Sequence, residues 1–182
     1  TTDAAGQSAH PYVGYPQMMF SGALTRSQVD DIYRCMSSGA NGANRSLTLG
    51  VPGWSSSISL RAPFGLAFAL LQHDFVDRFL LHLYATSAHG YTRGTWTTPE
   101  SSNLADRDEP TVAYASIGVH TVPIYLKWMH VFEEPETRTL WLAKATPRDW
   151  LALGESPIVI ERATTRYGRI SFSLAAESST AD

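Results

Sequence analysis

The sequence predicts an α+β chain, mainly helical over residues 1–134 and closing in a small antiparallel β unit over residues 135–182. Two observations carry this reading. Before Pro135, apolar residues recur at three-and-four spacing in three separate stretches, the mark of helices with a buried face. After Pro135 the spacing shortens to two, as in Thr139-Leu140-Trp141-Leu142-Ala143-Lys144-Ala145, the period of a half-buried strand. With 182 residues, 43% hydrophobic and 17% charged, the chain can bury a sizeable core and is not of a disordered type.

Residues 1–9 read as a frayed tail, and residues 10–17, rich in Pro, Gly and Tyr, as an ordered loop that excludes regular helix. Thr25-Arg26-Ser27-Gln28 fits a capping box, in which hydroxyl and amide satisfy the first free backbone donors. The helix it opens runs to about Ser37, with Val29, Ile32, Tyr33 and Met36 on one face, and Gly39 stops it. Residues 39–57 form a long polar connection, a length that compact domains reserve for functional or mobile segments. In it Trp54 fits either a sugar-stacking face or an anchor to the body.

Pro63 opens a second helix, read as continuous to Ala88. Leu66–Leu71 is apolar almost all round, which requires burial on several sides. Phe75, Phe79, His82 and Leu83 continue the inward stripe, with His82 read as a packing histidine ahead of a catalytic base. Val112–Glu134 is helical in pattern, with Pro123 forcing a kink or a break near His120. The small residues Ala113, Ala115, Ser116 and Gly118 permit close approach of another element. Thr146-Pro147-Arg148-Asp149 starts a short helix ending at Gly154. Residues 158–162 and 167–174 then read as two strands joined by 163–166.

The net charge of −3 supplies no basic footprint, so neither nucleic acid nor an anionic membrane is an expected partner. No apolar run reaches the ~18 residues of a spanning helix, and the chain as given has no signal-peptide pattern, so it reads as soluble with its location open. Cys35 is the single cysteine, set among Ile32, Tyr33 and Met36, and reads as a small buried hydrophobe. The six histidines form neither an HExxH motif nor a Cys-paired site, so no metal and no cofactor is expected.

The stretch that organises function is the polar loop from His89 to Asn103. Gly90 and Gly94 admit unusual backbone angles, and Pro99 stiffens its surroundings. The loop carries Tyr91, Arg93, Trp96 and Glu100: aromatic faces suited to a pyranose, and charged groups that bind hydroxyls or move protons. A surface loop with a structural Trp is the plain alternative. Asp106, Asp108 and Glu109 read as a solvated charged turn.

Three helices and three strands offer little cover for Leu66–Leu71 and Val112–Phe132, so the chain is expected to be the C-terminal part of a larger assembly. Gly94-Thr95-Trp96-Thr97-Thr98-Pro99-Glu100, followed by Val112–Gly118 and Pro123–Met129, resembles the closing helices of (α/α)6-toroid glycoside hydrolases. In the α-L-rhamnosidases the similar loop reads Thr-x-Trp-Glu, and in glucoamylases Ser-x-Glu-Gln. The segment 139–174 is similar to their C-terminal β segments. The resemblance spans roughly residues 60–174, and Thr98-Pro99-Glu100 departs from the rhamnosidase spacing. It implies a helical toroid portion over residues 1–134, a small β domain over 135–182, and an oligosaccharide or glycoside substrate. It also implies Glu100 as general base of an inverting hydrolysis, with the acid and the rest of the toroid supplied by a further chain or segment. Arg93 would hold Glu100 ionised, and Trp96, Tyr91 and Trp54 would shape the sugar site. Two alternatives stand beside it: a non-catalytic carbohydrate-binding or assembly module, and a polysaccharide lyase in which His89 and Tyr91 act on a uronic acid that Arg93 neutralises.

Overall fold

The computed structural model describes residues 11–38, 46–53, 57–60, 63–92, 94–105, 114–134 and 136–177. Trp54, Arg93 and the charged turn at 106–109 lie outside the described residues. The described chain is α+β, with helices and four two-stranded antiparallel sheets. It divides into two compact units, Thr1–Tyr125 and Leu126–Asp182.

The first helix, α1 (Pro11–Phe20), stands where the composition argued for an irregular loop. Pro11 at its first position forfeits no helical hydrogen bond, whereas Pro16 inside it forfeits one. Tertiary packing overrides that cost. A Cβ on Gly65 would lie 1.5 Å from the Pro16 carbonyl oxygen, so only glycine lets α1 and α3 (Phe64–Gln72) cross this closely. The Phe20 and Phe68 rings meet edge-on at 5.5 Å across the same contact.

Helix α2 (Arg26–Ser38) begins as its capping box requires. The Thr25 N–H donates to Gln28 Oε1 at 2.9 Å, and the Gln28 N–H to Thr25 Oγ1 at 3.3 Å. Val29 and Met36 are buried on its inner face, while Cys35 is only half-buried.

The helix expected from Pro63 to Ala88 is two helices, α3 and α4 (Val76–His89), broken at His73–Phe75. Asp74 adopts φ 59°, the Asp74 N–H reaches Leu71 O at 3.3 Å, and the Phe75 N–H reaches Leu70 O at 2.8 Å. This is a Schellman stop with aspartate in the place glycine usually fills. Arginines secure the corner: Arg26 and Arg78 stack on the Phe75 ring at 4.3 and 4.6 Å, and Arg78 also stacks on Tyr33 at 4.4 Å. Arg78 donates to Asp30 at 2.7 Å, tying α4 to α2 and holding the Asp30 carboxyl below its ordinary range.

Leu66, Ala67, Ala69, Leu70 and Leu71 are at most 1% exposed within this chain. The expectation that they need cover from another chain is therefore corrected, because α1 provides cover that the sequence reading did not include. Tyr125 completes this core, its ring edge-on to Phe64 and Phe79 at 6.1 Å each. Each such large side chain contributes about 1.5–3 kcal/mol by leaving water.

Two short ribbons cap the first unit. Strands β1 (Leu47–Thr48) and β2 (Val51–Pro52) pair through a turn with Leu49 and Gly50 at positive φ. Strand β3 (Ser57–Ser59) pairs with β4 (Ser101–Asn103), Ile58 opposite Ser102. Between the ribbon turn and the core sits His82, fully buried. Its Nδ1 lies 2.7 Å from Gly50 O and its Nε2 2.9 Å from the Tyr125 hydroxyl. A carbonyl only accepts, so the proton resides on Nδ1 and Tyr125 donates to Nε2. Burial pushes the His82 pKa down to about 4, which keeps the ring neutral and makes it a packing residue.

Val112–Glu134, expected to be helical, resolves differently where described. Helix α5 (Ser116–Val119) is one turn, α6 spans Thr121–His130, and Val131–Glu134 is strand β5. The break falls at His120, and Pro123 sits in the first turn of α6, where its missing N–H has no helical partner to lose.

In the second unit β5 pairs with β6 (Thr139–Leu142), and a single 3-10 turn follows at Arg148–Leu151. The hairpin of β7 (Ile158–Thr165) and β8 (Gly168–Leu174) closes it, turning at Arg166-Tyr167 with a bulge between Ile160 and Ala163. Glu133 joins hairpin to β5: its Oε2 accepts from the Arg166 N–H at 3.0 Å and Nε–H at 3.1 Å. Lys144 lies over Trp141 at 4.5 Å and Phe132 at 5.4 Å. Among the described residues no helix is long and apolar enough to cross a membrane.

Candidate functional site

The loop between α4 and β4 is built from threonines. The Thr92 N–H donates to Thr97 O at 2.8 Å and the Trp96 N–H to Thr92 O at 3.3 Å, closing a tight turn. Inside it the hydroxyls of Thr92, Thr95 and Thr97 contact one another at 2.7, 2.5 and 3.0 Å. This mesh holds Trp96 at φ 53°, a left-handed conformation that an aromatic residue rarely adopts. Strain of this kind persists only where the surroundings over-determine it, and such places concentrate at functional sites.

The result is a presented aromatic surface. Trp96 is 69% exposed, and its ring meets Tyr91 at 5.6 Å and 58°. Tyr91 does not float. Its hydroxyl donates to Gly118 O at 3.1 Å and Val119 O at 3.3 Å, and accepts from the Val122 N–H at 3.2 Å. Burial pushes the phenol pKa up, partly offset by the Val122 hydrogen bond. The Tyr91 oxygen thus ties the loop to α5 and α6, a role that leaves it poorly placed to exchange protons with a substrate.

The foot of the loop is pinned twice. Thr98, fully buried, accepts from the Ala115 N–H at 2.7 Å and donates its hydroxyl to Ala115 O at 2.8 Å. The Leu60 N–H donates to Glu100 O at 3.0 Å, so the backbone of Glu100 is held just before β4 begins. The glycine at 118 makes the closeness possible: a Cβ there would stand 2.4 Å from Thr98 Oγ1 and 3.1 Å from Leu60 Cβ. The Glu100 side chain is half-buried.

Of the residues singled out from sequence, the structure brings Tyr91 and Trp96 into contact and anchors Glu100 four residues further along the same loop. Trp54 and Arg93 lie outside the described residues, so their expected roles rest on sequence. His89 is partly exposed, with its Nδ1 buried and unpartnered among the described residues, as are the hydroxyls of Thr86 and Thr121. The sequence reading missed Thr92, Thr95, Thr97 and Thr98, which shape the loop, and Tyr114. The density of threonine between 92 and 98 was the available signal. Among the described residues no group of three or more His, Cys, Asp or Glu is placed to hold a metal ion.

An exposed aromatic pair can stack on the apolar face of a sugar ring, and a carboxylate such as that of Glu100, four residues further along the loop, can accept a proton from a bound water. In comparisons with protein-family models, curated proteins and solved structures, nothing matches this chain.

Proposed function

We propose that this chain is the C-terminal portion of a glycoside hydrolase of the (α/α)6-toroid type, with Glu100 as general base of an inverting hydrolysis. The single observation behind the reading is the hydroxyl-locked loop that presents Trp96 at a strained φ of 53° against Tyr91, with the Glu100 backbone pinned four residues further along the same loop. Trp96 and Tyr91 seat the sugar. The Glu100 carboxylate removes a proton from a water molecule as the water oxygen attacks the anomeric carbon. An acid on the opposite face, ~6.5–9.5 Å away, protonates the departing oxygen. That acid and the remaining helices belong to a further segment or chain. Exposed apolar residues on α1 (Met18, Phe20) and α4 (Leu81, Tyr84) support such a partner.

A non-catalytic carbohydrate-binding module is the second reading, favoured by Trp96 itself, since stacking needs no carboxylate. The lyase alternative is weaker, because the Tyr91 hydroxyl it would use is engaged by the backbone at 118, 119 and 122. The test is turnover of a panel of aryl glycosides by the protein purified with whatever accompanies it, wild type against Glu100→Gln. Loss of kcat by ~10² or more, with affinity retained, supports the base. Equal turnover, or binding without turnover in both proteins, refutes it in favour of the binding module.

A further inference from the structure

We propose that Tyr114 is a second sugar-stacking residue, which together with Trp96 gives this face two aromatic platforms for one glycan chain, with Glu100 rooted beside them. The inference rests on the glycan reading of the loop. Tyr114 is 76% exposed, more than Trp96 at 69%. Its backbone is nevertheless fixed, because the next residue, Ala115, exchanges two hydrogen bonds of 2.7 and 2.8 Å with buried Thr98. The side chain itself has no hydrogen bond or ring contact among the described residues. A pinned backbone carrying an idle aromatic ring is the arrangement of a preorganised contact, since little freedom is left to lose on binding.

The same pair of hydrogen bonds sets the spacing. Trp96 lies two residues before Thr98 and Glu100 two residues after it, while Tyr114 adjoins Ala115. All three side chains therefore leave the backbone within roughly 8 Å of one bonded pair, at ~3.8 Å per Cα step. Ile117 and Val119 of α5, three and five residues after Tyr114, are 44% and 40% exposed and add apolar side chains to the same stretch of chain.

The experiment titrates neutral hexasaccharides (cellohexaose, xylohexaose, maltohexaose) into the whole protein by calorimetry and tryptophan fluorescence. Tyr114→Ala, Tyr114→Phe, Trp96→Ala and Glu100→Gln are compared with wild type. Losing contact with roughly 60 Å² of ring face, at ~25 cal/mol per Å², corresponds to about tenfold weaker binding for Tyr114→Ala. Tyr114→Phe keeps the ring and binds within about twofold of wild type on the same bookkeeping. The two Tyr114 variants melt like wild type, since the Tyr114 side chain is 76% exposed and has no partner among the described residues. Unaltered affinity in Tyr114→Ala, with affinity lost in Trp96→Ala, overturns the role of Tyr114 and leaves the loop reading standing. Equal losses in the Ala and Phe variants overturn stacking in favour of the hydroxyl. No binding of any hexasaccharide by wild type overturns both readings and points to a protein occupant of this face.

Discussion

Acidification from pH 7 to pH 5 is expected to destabilise the first unit by about 2 kcal/mol through His82 alone. The unfolded imidazole titrates near ~6.5, whereas the folded ring, desolvated between Gly50 and Tyr125, titrates at about 4. Between those values the unfolded chain takes up a proton that the folded chain refuses. The unfolded state therefore binds more protons, and stability falls as pH falls. The contribution is complete above the unfolded value and lost down to the folded one. Each unit of separation corresponds to ~1.36 kcal/mol, giving about 2 kcal/mol at pH 5 and about 3 kcal/mol by pH 4. Urea denaturation at several pH values, wild type against His82→Gln, isolates the effect. Glutamine can donate to Gly50 and accept from Tyr125 but does not titrate. It is expected to cost about 1 kcal/mol at pH 7 and to remove this part of the slope. The His130 pKa is also lowered by burial, so the difference between the two proteins, not the wild-type slope, is the quantity that matters. Parallel stability curves for the two proteins across pH 7 to pH 4 would refute the buried neutral histidine.

Two further outcomes test the fold and the loop. Gly65→Ala drives a Cβ toward the Pro16 carbonyl and should destabilise the protein by about 3 kcal/mol, with α1 exposed to protease first. A melting temperature equal to wild type would mean that α1 does not cross α3 as described. Trp96→Gly relieves the positive φ and should raise stability by about 0.5–1 kcal/mol while abolishing sugar binding. A drop in stability would show that the Trp96 ring holds the loop instead of being presented by it.

The capping box of α2, the strands β6, β7 and β8, and the break before Pro123 were legible because each depends on neighbours in sequence. Thr25 reaches Gln28 across one turn, and strand alternation needs only a period of two. The packing role of His82 was legible too, from its place on the apolar stripe of α4.

Composition and local spacing alone gave the α+β order, the buried character of Leu66–Leu71 and the polar loop carrying Tyr91, Trp96 and Glu100. The remaining features depend on residues distant along the chain. Pro16 and Gly65 meet, and that crossing makes a helix of a segment whose composition argues against one. Asp74 stops α3 without the glycine or proline that marks a stop, so the apolar stripe runs through the break unbroken. Val131–Glu134 becomes a strand because Thr139–Leu142 is there to bond it, although its apolar spacing continues that of α6. The conformation of Trp96 and the placing of Tyr114 follow from Thr92 bonding Thr97 and Thr98 bonding Ala115. Local periodicity reports which residues seek burial, and only the long-range contacts decide which neighbour satisfies them.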